Sequence, residues 1–397
     1  MAAQTIGLRP ADRANRVVGS HAIARRALAA AGVFALIALG WGVVVLIQGG
    51  SWWGPLHAFL AGTVLLAISG ASQMFTITWA AAPAPPAWLA RLQLWLVIAG
   101  VIAVLIGVPG GIEWLAWLGA IGVMGGLALL SFTIVRAVRR SLLRRFDLSA
   151  RFYLAAFAAG AIGVLLGAVI ASGVADEATA ALRLVHYHLN LIGLVGFTII
   201  GTIPTFLPTV AHHPAVSGRE ALVAWWLCLL AGTLFVMGLA LPPAVVGLGS
   251  IIAALAGAIV LAGIIWRLWR RGRSKTAFLQ ISSGVLWLIA WALFDGIALV
   301  VGRQPTHFSA PTSAAVVAGI GQVLLGSVAY LVPVLLGPPL TERMSLFSRH
   351  PLLPLIAANL GGIALLAGLP VLATLAVSLW LVDFAWRLVR QPALGAR

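Results

Sequence analysis

The stretch Val185–Gly193, "VHYHLNLIG", sets two imidazoles, His186 and His188, on either side of a tyrosine near the head of a long apolar run. A neutral imidazole is a good ligand for haem iron and for copper, and histidine also carries protons near neutral pH. Two residues apart on an α-helix corresponds to a rotation of roughly 200°, so the two rings face nearly opposite ways. They do not chelate one ion together. The spacing suits two neighbouring centres served from opposite faces of one helix. The plainer use is a pair of interfacial histidines bonded to carbonyls or lipid headgroups.

His188 is also one member of a repeat. "HAFLAGTVLLAISG" runs from His57 to Gly70, and "HLNLIGLVGFTIIG" from His188 to Gly201. Each runs thirteen steps from His to Gly, with a further glycine at the fifth step, Gly62 and Gly193. A third copy, "SAAVVAGIGQVLLG", runs from Ser313 to Gly326, with His307 six residues before it. Gly201 and Gly326 each precede a proline by seven residues, Pro208 and Pro333. The period is near 130 residues. It predicts three tandem units, roughly 20–140, 145–272 and 275–390, in a pseudo-threefold ring of helices. The repeat glycines either let helix backbones approach closely or leave room for a flat cofactor. Spacing alone does not separate these uses.

The elements that must carry these residues are membrane helices. Of 397 residues, 62% are hydrophobic and 9% charged; a soluble domain carries about 25% charged residues. Twelve apolar segments are predicted, at about 27–48, 55–79, 89–108, 113–136, 151–173, 182–207, 220–241, 243–267, 277–301, 311–336, 351–367 and 369–388. The expected fold is therefore all-α and polytopic, one transmembrane domain over residues 1–397, with no room for a separate soluble domain. No signal-peptide apolar region precedes the first span.

The net charge of +16 does not indicate nucleic acid, because its placement is topological. Basic residues cluster before span 1 (Arg9, Arg13, Arg16, Arg25, Arg26), between spans 4 and 5 (Arg136, Arg139, Arg140, Arg144, Arg145, Arg151), after span 8 (Arg267, Arg270, Arg271, Arg273, Lys275) and after span 12 (Arg387, Arg390, Arg397). With twelve spans all four clusters share one side. The positive-inside rule makes that side, and both termini, cytoplasmic in a plasma membrane. Cys228 is the single cysteine, which excludes an intrachain disulfide and a cysteine-based metal centre. Catalytic triads, phosphate loops and CxxC pairs are absent from the sequence.

In this topology His57, His186, His188 and His307 all fall at the extracytoplasmic ends of the three equivalent spans 2, 6 and 10. Ionisable residues inside a membrane are rare and usually face a bundle interior. The shared depth on related helices points to haem or metal binding. His212 and His213 belong to a solvated loop, His350 to an interface and His21 to the basic N-terminal arm.

Twelve spans in three four-helix units, with histidines at the outer ends of spans 2, 6 and 10, resemble subunit I of the haem-copper oxidase superfamily. "HYH" resembles the His-aromatic-His of that family, where one histidine binds a low-spin haem and the other a high-spin haem at a binuclear centre. The His-led, Gly-rich segments also resemble NnrS-type haem- and copper-containing membrane proteins linked to nitric-oxide response. The resemblance covers the whole chain as architecture and rests on short motifs. It implies His57 and His188 as axial ligands of one haem, and His186 with His307 at a second haem or copper centre. The pattern also departs from the family. His-aromatic-His lies on the sixth span instead of the tenth. Span 7, "REALVAWWLCLLAGTLF", lacks the paired copper histidines, and span 6 lacks the family's His-x-x-x-Tyr. A proton-pumping oxygen reductase is therefore not expected.

Polar neighbours complete the expectation. Arg183, three residues before His186, can pair bidentately with a haem propionate at the outer surface, or snorkel to the interface; Arg303 has the same two uses near His307. Tyr187 is an interfacial anchor or an electron relay, and Asn190 a hydrogen-bond partner. Asp295, in "ALFDGIAL", is the deepest acid and must be paired, protonated or part of a proton path. Asp383 is placed to pair with Arg387 at i, i+4. The expected function is electron transfer, or reduction or sensing of a diatomic gas such as nitric oxide or oxygen, with an electron-donor protein as partner. The alternatives are a secondary transporter, whose Gly/Pro-broken helices would form the substrate site, and a copper- or haem-handling assembly factor.

Overall fold

The computed structural model describes residues 10–141, 146–173, 178–213, 218–269, 276–303 and 309–391. His307 lies outside them, as do Arg9, Arg144, Arg145, Arg270, Arg271, Arg273, Lys275 and Arg397. The described residues are almost wholly helical and contain no strand. This follows from composition: in hydrocarbon every backbone N–H and C=O must be paired internally, and a helix does so within one segment.

The helices are α1 (Pro10–Gln48), α2 (Trp53–Trp79), α3 (Ala87–Gly107), α4 (Glu113–Arg139), α5 (Asp147–Ala171), α6 (Thr179–Val210), α7 (Arg219–Met237), α8 (Pro243–Trp269), α9 (Thr276–Val300), α10 (Ala310–Leu336), α11 (Leu340–Ser348), α12 (Leu352–Leu366) and α13 (Pro370–Val389). Among the described residues eleven helices are long and apolar enough to cross a membrane, and α11 with α12 makes a twelfth if that pair, bent by 45°, is one span. The chain forms two compact units, Met1–Asp176 and Glu177–Arg397.

The N-terminal arm is a difference from expectation. From Pro10 it is already helical and continues into the first span as one helix of 39 residues. Along one face of this helix runs a buried stripe of mostly small residues. Ser20, Ala24, Ala27, Ala31, Phe34 and Ala38 are buried at alternating steps of three and four, the spacing that lines one helix face. The stripe packs on α2, where a Cβ on Gly70 would lie 2.6 Å from the Ala27 Cβ. Helix α1 ends at Gly49 and Gly50, whose φ angles of 75° and 123° are open to glycine and strained for other residues.

The repeat segments share a local feature. In α2 the residues after His57, Ala58–Val64, form a π-helical turn; in α6 so do those after His188, Leu189–Gly196; in α10 it is Ala315–Gly321. All three repeat copies therefore carry the same widening near the same step. Such π segments are rare and frequent at functional sites.

The repeat glycines Gly62, Gly70 and Gly326 lie against packed neighbours. A Cβ on Gly62 would lie 2.5 Å from the Phe34 ring, and one on Gly326 would lie 3.0 Å from Gln280 and Ile281. Close backbone approaches also fall at two reciprocal glycine pairs. Gly100 and Gly119 each place a Cβ position 2.7 Å from the other's carbonyl oxygen, where α3 crosses α4. Gly247 and Gly296 do the same at 2.6 Å where α8 crosses α9. Gly100→Ala is expected to force α3 off α4 and cost about 1–3 kcal/mol, measured by reversible unfolding in mixed micelles; a change within 0.5 kcal/mol would show that the crossing yields freely.

The expected Asp383–Arg387 pair is present. Arg387 Nε and Nη2 donate to the two carboxylate oxygens at 2.8 and 3.0 Å. Its Nη1 also donates to the carbonyls of Leu346, Phe347 and Arg349 at 3.2, 2.9 and 2.6 Å. One guanidinium thus satisfies the C-terminal carbonyls of α11 and ties them to α13. Arg387→Ala leaves a largely buried acid and three carbonyls unpaired, and is expected to cost about 3 kcal/mol. Its check is the unfolding midpoint beside that of Asp383→Asn, which spares the carbonyl contacts and should cost less.

Candidate functional site

The site in the second unit is built around His188. Its Nδ1 lies 2.8 Å from the Leu184 carbonyl, one helical turn back. A carbonyl only accepts, so Nδ1 carries a hydrogen and donates it. Its Nε2 lies 2.8 Å from Asp295 Oδ2 on α9. The imidazole is fully buried and Asp295 nearly so. The proton in the second bond is donated either by an imidazolium to a carboxylate or by a carboxylic acid to Nε2. In either state the pair holds it jointly, away from water. Asp295 Oδ1 has no hydrogen-bond partner among the described residues.

Aromatic rings wall this pair. Tyr187 meets the His188 ring edge-on at 4.9 Å and Trp291 at 5.7 Å, and Phe235 lies tilted against His188 at 5.5 Å. The Tyr187 hydroxyl is 2.8 Å from Thr312 Oγ1, which is 2.9 Å from Ser309 Oγ, the N-cap of α10. Tyr187 therefore links the first helical turns of α6 to the start of α10.

His186 occupies a different environment, as the rotation of roughly 200° requires. It is half-buried, and its partner is Asn190, whose Nδ2 donates to the His186 carbonyl at 2.8 Å and lies 3.4 Å from the ring Nδ1. Arg183 and Arg303 are exposed.

In the first unit His57 shares the Nδ1 contact of His188. Its Nδ1 donates to the Trp53 carbonyl at 2.8 Å, again one turn back, and the ring stacks on Trp53 at 4.2 Å. With Nδ1 protonated in a neutral ring, the lone pair is on Nε2. A backbone carbonyl behind Nδ1 is the arrangement that orients histidine ligands of metals. The Nδ1 side of His57 thus would suit a ligand histidine. His188 fits on the Nδ1 side, but both of its ring nitrogens are engaged, so coordination through Nε2 would displace Asp295. Among the described residues no three His, Cys, Asp or Glu side chains gather to hold an ion.

His57 and His188 lie in different compact units. His212 and His350 have left-handed φ angles of 55° and 52°, at the end of α6 and at the break before α12. Sequence reasoning singled out both His188 and Asp295 but did not join them. The available signal was chemical: a lone acid in an apolar span needs a donor, and His188 is an ionisable group at the same end of the second unit's helices.

Comparison with known protein families and with curated proteins gives no match for this chain.

Proposed function

We propose that this chain is a haem-binding, haem-copper-type membrane redox protein. Its function would be electron transfer, or reduction or sensing of a small diatomic such as nitric oxide or oxygen, near the extracytoplasmic surface of the plasma membrane, with both termini cytoplasmic. What supports the reading is one observation: His57 and His188, equivalent in the repeat, each donate Nδ1–H to the carbonyl one turn back, at the head of a π-helical turn. That clamp presets Nε2 as the ligand atom of His57. In this reading His188 would hold iron through Nε2 only with Asp295 displaced from that nitrogen. His186 serves a second centre, and copper is the second metal the reading allows. Arg183, exposed above the histidines, meets a propionate. When bound, the haem supplies one-electron chemistry and a gas-binding iron; the chain supplies ligands, orientation and a water-poor setting.

The test is the absorption spectrum and metal content of protein purified from a haem-replete host. A Soret band with stoichiometric iron is expected. A colourless protein without iron or copper overturns the reading.

A second reading, a proton-coupled carrier, is favoured by the buried His188–Asp295 pair, since acid–imidazole pairs inside membranes commonly mark proton paths. Substrate uptake by liposomes containing cofactor-free protein would select it. Readily exchanged metal without redox turnover would instead select a copper- or haem-handling assembly factor.

A further inference from the structure

The first unit carries a groove that none of the histidine chemistry uses. It lies between α4 and α5, with a volume of about 640 Å³. Its wall is apolar, including Ile121, Leu127, Leu154 and Phe157, and is opened by small residues. At Gly125 a Cβ would find no atom closer than 3.8 Å. At Ser131 the groove continues into a second hollow of about 470 Å³ lined by Arg136, Arg139 and Arg140. No ion pair to these arginines is found among the described residues. On the facing helix, Arg151 at this end offsets Asp147, so the foot of the groove is strongly cationic.

Depth matches a lipid. From Ile121 to Ser131 is ten residues, or about 15 Å of helix, half of an apolar core about 30 Å thick. The arginines follow five to nine residues beyond Ser131, roughly 8–13 Å further and at headgroup level. An acyl chain of one leaflet would lie along the apolar part with its phosphate among the guanidiniums. Lone arginines snorkel to the interface anyway, but three of them at the foot of an open apolar groove form a headgroup site with a chain slot above it. We infer that the α4–α5 groove binds an acidic phospholipid.

The experiment uses delipidated full-length protein in detergent, titrated with phosphatidylglycerol and phosphatidylcholine, with bound lipid counted by native mass spectrometry. Wild type is expected to prefer phosphatidylglycerol. Each arginine at an anionic surface is worth about fivefold in affinity, so Arg136→Gln/Arg139→Gln/Arg140→Gln is expected to lose roughly a hundredfold of that preference. The exposed single variant Arg139→Gln, which keeps the fold, should lose about fivefold. Gly125→Leu fills the slot without touching charge and should weaken both lipids. Equal binding of the two lipids by wild type, an undiminished preference in the arginine variants, or unchanged binding by Gly125→Leu overturns the assignment. So does a stoichiometric quinone, or a second copy of the chain, found in the groove in place of lipid.

Discussion

Asp295→Ala is expected to destabilise the protein by about 3 kcal/mol, the lower end of the range for breaking a buried pair from one side. The reason is the absence of any replacement partner. His188 is fully buried, its Nδ1 is already committed to Leu184, and the neighbouring groups are the rings of Tyr187, Phe235 and Trp291. Removing the carboxylate strands Nε2 in hydrocarbon. An ordinary neutral hydrogen bond between membrane helices is worth about 0.6 kcal/mol and at most about 1.7. A shared-proton pair in a dry site must exceed that. The double-mutant cycle with His188→Ala measures it: with both partners gone neither is stranded, so the double variant should cost far less than the sum of the singles. A coupling below about 0.6 kcal/mol would mean that the contact is incidental packing.

If the haem reading holds, His57→Ala is expected to remove haem from the histidine site. Affinity should fall by more than the roughly 10–100-fold that follows loss of a mere supporting residue. The proposed ligand role draws on the Trp53 carbonyl behind Nδ1 and the Trp53 ring against the imidazole, which together hold the ring in one orientation. The variant folds if its helical content and unfolding midpoint stay near wild type, because the half-buried His57 is not a packing centre. Added imidazole should restore part of the Soret band, a rescue that a structural role would not give. An unchanged spectrum in His57→Ala, beside a changed one in His188→Ala, would move the ligand assignment to the second unit. If both spectra stay unchanged, neither histidine is a ligand.

The Asp295 variant connects the two lines of reasoning. In the haem reading His188 gives up its carboxylate to bind iron, so Asp295→Ala costs the cofactor-free protein more than the loaded one. In the carrier reading the pair works intact, and the same variant stops proton-linked uptake.

The sequence by itself determined the membrane class and the positions of most spans to within a few residues, though not the early start of α1 at Pro10 or the short helix α11, and it singled out His188 and the buried acid Asp295. Each of these depends on local composition or on spacing along one chain. Hydrocarbon admits only helices here, arginines stay at the ends of spans, and an ionisable group in an apolar run stands out whatever its surroundings. The local pair Asp383–Arg387 was legible for the same reason, since i, i+4 neighbours meet on any helix. What only the tertiary structure decided concerns facing. Asp295 lies 107 residues from His188, and periodicity gives a residue's depth and side but not the helix opposite. The repeat glycines could have flanked a cofactor; the structure sets Gly62 against Phe34 and Gly326 against Gln280 and Ile281. The π-helical turns after His57 and His188 change the register of every residue beyond them, which a count of 3.6 residues per turn does not contain. His188 was readable as a residue that had to have a partner. That its second nitrogen meets Asp295 follows from how α6 and α9 pack.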